Sequence, residues 1–220
     1  MWQHIISQNL GKPQIFEGIV NTIKNLPSKN TKEVRHSTQR KGDIFENICV
    51  QILQLKGYEK ICLLKDVPQE LLETLGLKRR DVGIDIVAFR NHLPVAIQCK
   101  FRSKKTVTWR EISTFEALCA RTGPWAQHII MTNANYIRRE GTRTSKDVSF
   151  MFRQFQEIHR HEWSEICGFG KGRTLSENDA VNPLYETYDT NDTNTENKEE
   201  KESETTLEVM RKKRLEKFHV

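Results

Sequence analysis

The stretch that most constrains this chain is Asp81-Val82-Gly83-Ile84-Asp85-Ile86-Val87-Ala88, followed by Val95-Ala96-Ile97-Gln98-Cys99-Lys100-Phe101. Each half reads as a buried strand, because β-branched residues dominate and Gly or Pro sits close by. Arg90-Asn91-His92-Leu93-Pro94 is short and polar enough to turn the chain between them. If Phe89 pairs with Pro94 across that turn, Asp85 falls opposite Gln98. Side chains alternate across a sheet, so Gln98 and Lys100 share one face while Ile97, Cys99 and Phe101 take the other. Asp85, Gln98 and Lys100 then converge on one patch. A carboxylate, an amide oxygen and an ammonium side by side suit a divalent metal and a phosphate. The plainer alternative is a surface salt bridge on an ordinary hairpin, a pairing usually worth little. Against it stands the apolar character of the strands, in which a charge needs a partner or a task.

Hydrophobic periodicity supplies the surrounding elements. Asp43 to Lys56 predicts a helix with Ile44, Phe45, Ile48, Cys49, Ile52 and Leu53 on its apolar face and Gly57 as its stop. Asp43 suits the N-cap. Glu46 lies at the edge of the apolar face, which would bring its carboxylate near the sheet the helix covers; an exposed helix acid is the ordinary alternative. Ile61 to Leu64 reads as a short strand and Pro68 to Leu75 as a helical turn closed by Gly76. Trp109 to Thr122 reads as a helix broken by Gly123-Pro124, Ala126 to Thr132 as a buried strand, and Thr144 to His159 as a further helix. The central order is helix, strand, strand, strand, helix, strand.

Gly83-Ile84-Asp85, about a dozen residues, and then Gln98-Cys99-Lys100 resembles the active-site signature of the PD-(D/E)xK nuclease superfamily, in the Gln-x-Lys form of its Mrr-like restriction endonuclease branch. That superfamily also carries an acid on a preceding helix, a place Glu46 fills. The resemblance covers roughly residues 40 to 135. It implies an α/β fold with a restriction-endonuclease-like αβββαβ core, a central mixed sheet flanked by helices. It also implies a Mg²⁺-dependent DNA endonuclease, with Mn²⁺ able to substitute, of restriction-like or repair and recombination type. Glu46, Asp85, Gln98 and Lys100 would be the catalytic set. Asp85, Gln98 and Glu46 would hold the metal and Lys100 would orient the attacking water. Two other classes stay open: a nuclease-like module that binds DNA without cutting, and an interaction protein that recruits a partner to DNA.

Charge is unevenly spread. The chain carries +6, with −6 in residues 186–206, +3 in residues 207–220 and +9 in the rest. A basic body suits a polyanion such as DNA. Lys41, Arg102, Lys104 and Lys105 are the candidate phosphate contacts. The expected organisation is an N-terminal extension over 1–41, made of a helix at Pro13–Asn25 and a basic linker at Ser28–Lys41. A nuclease domain follows over 42–168, then a disordered acidic tail over 169–206 and a short basic amphipathic helix over 207–220 that could dock a protein partner. Cutting both strands of a duplex would call for a homodimer. No apolar run approaches the ~18 residues of a membrane span. Met1-Trp2-Gln3-His4 lacks a signal-peptide pattern. Five scattered cysteines point to a reducing, intracellular compartment, cytoplasmic or nuclear.

Overall fold

The computed structural model describes residues 1–27, 31–140 and 144–172. The hairpin at its centre joins β2 (Ile86–Arg90) to β3 (Leu93–Lys100). Asn91 and His92 form the two-residue turn, with φ of 50° and 62°. Two positive φ values match the right-handed twist of the flanking strands. The register pairs Phe89 with Pro94 and Ile86 with Ile97, as the sequence predicts. β1 (Glu59–Leu63) adds antiparallel to β2, and β5 (Gln127–Thr132) adds parallel to β3. The last strand of the sheet, β7 (Asp147–Phe150), pairs parallel with β5, which gives the mixed order β1-β2-β3-β5-β7.

Both faces of this sheet are covered, which is why its central strands β2 and β3 are mostly apolar and buried. One face presents Ile86, Ala88, Val95, Ile97, Cys99, Ile129 and Met131. It packs against α3 (Thr31–Leu55), with α6 (Phe152–Gln156) against β7, and α1 (Trp2–Asn9), α2 (Ile15–Lys24) and α7 (Arg160–Gly172) complete the same core by packing on these helices and on one another. The other presents Val87, Phe89, Ala96 and Ile130 to α4 (Gln69–Leu75) and α5 (Trp109–Arg121). Thr108 and Glu111 close a capping box at the start of α5. A small parallel ladder of β4 (Thr106–Val107) and β6 (Tyr136–Ile137) extends beyond the ends of β3 and β5. This is the central mixed sheet flanked by helices expected of a restriction-endonuclease-like fold.

Several expectations need correction. The chain from Thr31 to Lys41 is helix, not linker, and Asp43 lies inside α3 instead of capping it. The apolar stripe that betrays the helix begins only at Ile44, so its polar first half left no periodic signal. Residues 1–24 do not stand apart: Ile5, Ile6, Ile15, Phe16, Ile19 and Ile23 belong to the same core as the sheet. Thr144–His159 is not one helix. It divides into β7 and α6, and α7 then continues through Gly172, past the start of the expected tail at 169. The remainder of the tail and the helix expected over 207–220 lie outside the described residues. Among the described residues no helix is long and apolar enough to cross a membrane.

Candidate active site

Asp85 is held by three backbone partners. Its amide donates to the Ile97 carbonyl at 2.9 Å, and its carbonyl accepts from the Leu64 amide at 2.9 Å. Its Oδ2 accepts from the Cys99 amide at 2.7 Å. The residue thus lies one position ahead of β2, at the end of β1 and against β3, where the register sets it opposite Gln98. Two residues upstream, Gly83 has φ +124°, and a Cβ there would fall 3.0 Å from Cα and N of Phe115 in α5. Only glycine permits both that dihedral and that approach.

Gln98 and Lys100 project from the β3 face that carries Ala96, opposite the face that carries Ile97 and Cys99. Gln98 is 1% exposed. Its Oε1 has no hydrogen-bond partner among the described residues, a state that costs about 1–3 kcal/mol for a buried acceptor. Lys100 is half-buried, and its carbonyl accepts from Thr132 Oγ1 at 2.7 Å. Thr132 Oγ1 in turn accepts from the Ala134 amide at 3.1 Å. Beyond it, Asn133 Oδ1 accepts from the Arg102 amide at 2.6 Å and Asn133 Nδ2 donates to the Arg102 carbonyl at 2.7 Å. These bonds fix the chain on the far side of Lys100.

Glu46 reaches this group from α3. Its carboxyl is pushed up to about 7, first by burial and then by the charges of Asp85 and Asp43, against the opposing pull of Lys65 and Lys100. Burial also raises the Asp85 carboxyl, opposed by the Cys99 amide and by Lys100. Glu46 and Asp85, held up in this way, are hard-oxygen donors within reach of each other's charge, and Gln98 Oε1, on the β3 face away from the one α3 covers, is a third oxygen without a partner among the described residues. Such a set fits a divalent cation of the Mg²⁺ kind, which takes oxygen ligands and keeps waters of its own. Glu46, Asp85 and Lys100 therefore sense one another's charge, and Gln98 sits two residues from Lys100 on the same strand face.

The expected phosphate contacts are placed differently from one another. Lys104 and Lys105 are exposed on the loop that follows β3. Arg102 forms an ion pair with Glu111. Lys41 Nζ donates to the Lys24 carbonyl at 2.7 Å, tying α3 to the end of α2. Sequence reading missed Lys65, whose charge reaches Glu46 from the 3₁₀ turn Leu64–Asp66. No periodic or motif signal marks it.

A second constellation was also missed. Glu116 on α5, His128 on β5 and Asp147 on β7 bring one ligand atom each within 4.8 Å of one another. Arg139 Nη1 lies 3.0 Å from Glu116 and 3.7 Å from Asp147, and His128 Nδ1 lies 3.2 Å from Asp147. Burial works to raise the Asp147 carboxyl, but bonds from the Thr144 amide and hydroxyl, from His128 and the charge of Arg139 prevail and hold it below its usual range. A cationic side chain thus already stands between the two acids.

A family model described as "Restriction endonuclease" matches residues 52–166, just over half of the chain. The chain belongs to the Mrr-like restriction endonucleases. No curated protein and no solved structure matches it. The matched part of this Mrr-like nuclease contains Asp85, Gln98, Lys100, Thr132 and Asn133, whereas Glu46 precedes it.

Proposed function

We propose that this Mrr-like protein is a Mg²⁺-dependent DNA endonuclease whose metal is held by Asp85, Gln98 and Glu46, with Mn²⁺ able to replace Mg²⁺. The observation that carries the reading is the mutual electrostatic reach of Glu46, Asp85 and Lys100 at one end of the hairpin; the buried, unpartnered Oε1 of Gln98, two residues from Lys100 on the same strand, supports it. A divalent cation bound there supplies charge neutralisation at the scissile phosphate and a water of lowered pKa. Asp85, clamped by three backbone bonds, needs no reorganisation to present its carboxylate. Lys100 offers its ammonium to the attacking water and to charge developing on the phosphate, a preorganised donor of the kind that dominates many enzymatic rate gains. Thr132 holds the Lys100 backbone in register while it does so. Exposed Lys104 and Lys105 and the basic body draw in the DNA backbone. One such site cuts one strand, so cleavage of both strands requires two copies of the chain.

The test is cleavage of supercoiled plasmid by the purified full chain, with Mg²⁺, with Mn²⁺ and with chelator. Plain, methylated, nicked and four-way DNA make up the substrate panel. Metal-dependent nicking is expected on at least one of them. An unbroken panel in both metals would sink the proposal.

Gln98→Glu offers an independent check on the ligand set. It buries a new acid near a region where burial already disfavours the charges of Glu46 and Asp85, so the metal-free protein should melt at a lower temperature than the parent. Mg²⁺ should bind more tightly and restore the melting temperature. Calorimetric titration that finds the same metal affinity in both proteins would remove Gln98 from the ligand set.

A further inference from the structure

Past Lys100 the β3 and β5 chains do not separate. The pairing of Lys100 with Thr132 passes to the double bond between Arg102 and Asn133. The Lys105 carbonyl then accepts from the amides of Asn135 (2.8 Å) and Tyr136 (3.2 Å). Thr106 pairs with Tyr136 and Val107 with Ile137, and the Arg138 amide donates to the Val107 carbonyl at 2.8 Å. A chain of hydrogen bonds, through the Asn133 side chain and then the β4-β6 pair, therefore links the segment after Lys100 to the one carrying Tyr136. Val107 and Ile137 turn inward to the core. Tyr136 alternates outward and is 67% exposed, one of four large hydrophobic residues so exposed among those described. Its backbone is bonded directly to that of Lys105, and both Lys104 and Lys105, on the loop before β4, are exposed.

A solvent-exposed aromatic ring on a strand whose backbone is bonded to a loop carrying two exposed lysines has the chemistry of a single-strand contact. The lysines take phosphates and the ring offers a face to a base. We propose that Tyr136, with Lys104 and Lys105, is a stacking platform for an unpaired nucleobase at the catalytic end of the sheet. The protein would then prefer DNA carrying a single-stranded interruption over intact duplex. In intact duplex every base is already stacked between its neighbours, so the ring gains little there. This inference takes its ligand class, DNA, from the nuclease reading above.

The experiment compares binding of the full chain to intact duplex and to the same duplex with a short single-stranded gap, by fluorescence anisotropy in chelator so that nothing is cut. A fluorescent base analogue in the gap reports stacking by quenching. The parent should favour the gapped DNA and quench the analogue. Tyr136→Ala should reduce the ratio of the two affinities by about 5- to 150-fold, the range that one stacked base commands, and should abolish quenching. Tyr136→Phe keeps the ring and should retain both signals. An unchanged ratio in Tyr136→Ala overturns the platform, as does Tyr136→Phe behaving like Tyr136→Ala. Plasmid cleavage in Mg²⁺ separates the two readings. Normal nicking by the parent with an unchanged ratio in Tyr136→Ala defeats only the platform. A ratio that falls as expected, in a protein that never nicks, defeats only the nuclease.

Discussion

Asp85→Asn is expected to fold normally and to cut DNA roughly 10²–10³-fold more slowly than the parent, or worse, as is usual when a preorganised electrostatic group is lost. The asparagine side chain retains an oxygen for the Cys99 amide, so the clamp between β1 and β3 survives. What disappears is the negative charge. Burial disfavours that charge in the free protein, so removing it should not lower the melting temperature. Asp85→Ala, by contrast, also leaves the Cys99 amide without its acceptor and should lose some stability as well as activity. Lys100→Ala should be similarly slow, with its backbone still fixed through Thr132. Initial rates of plasmid nicking, read with melting curves on the same preparations, decide the matter. Asp85→Asn cutting at the parental rate would remove this residue from the mechanism.

Gly83→Ala should cost about 2–4 kcal/mol of stability. The added Cβ meets the helix backbone of α5 at 3.0 Å, where nothing flexible can yield, and the φ of +124° is strained for any other residue. Gly57 and Gly76 provide the comparison. Each has positive φ, +78° and +67°, but open space where a Cβ would go. Alanine there should cost only the left-handed penalty of about 1–2 kcal/mol. Urea unfolding midpoints of the three variants test the difference. Equal losses would mean that the approach of the Gly83 segment to α5 is not tight. The same substitution should also lower the cleavage rate of the fraction that remains folded, since Asp85 lies two residues further along a segment that must shift.

The hairpin was legible because its determinants are local. Pro94 and the polar turn fixed where the chain reverses, and alternation then placed Asp85, Gln98 and Lys100. The helix Trp109–Arg121 was legible from its periodicity and from the Gly123-Pro124 breaker that follows it. β7 was not, because Val148, Phe152 and Phe155 satisfy a helical stripe as readily as they satisfy a strand and a short helix in succession. Its pairing with β5 is parallel and non-local, so no turn signal announces it. The same pairing assembles Glu116, His128 and Asp147 from three separate segments, and no spacing in the sequence could have joined them. Thr132 and Asn133 stood at the end of a strand that was correctly read. Their bonds to Lys100 and Arg102 depend on the side-by-side course of two chains, which periodicity does not report.

A row of aromatic rings runs through the larger core. Trp163 stacks on Phe16 at 6.2 Å, Phe16 on Phe155 at 4.3 Å, Phe155 meets Phe45 at 5.7 Å, and Phe45 meets Phe101 at 5.6 Å. Phe45 directly precedes Glu46, and Phe101 directly follows Lys100. The segment that resembles other nucleases is therefore smaller than the segment that must fold together. A protein cut back to residues 52–166 would keep the recognisable motif but lose Glu46, Phe45 and Phe16, and with them the helices that shield one face of the sheet. The core residues of α1, α2 and α3 thus belong to the body of the domain, because the large cluster that includes the β2 and β3 face is filled from them.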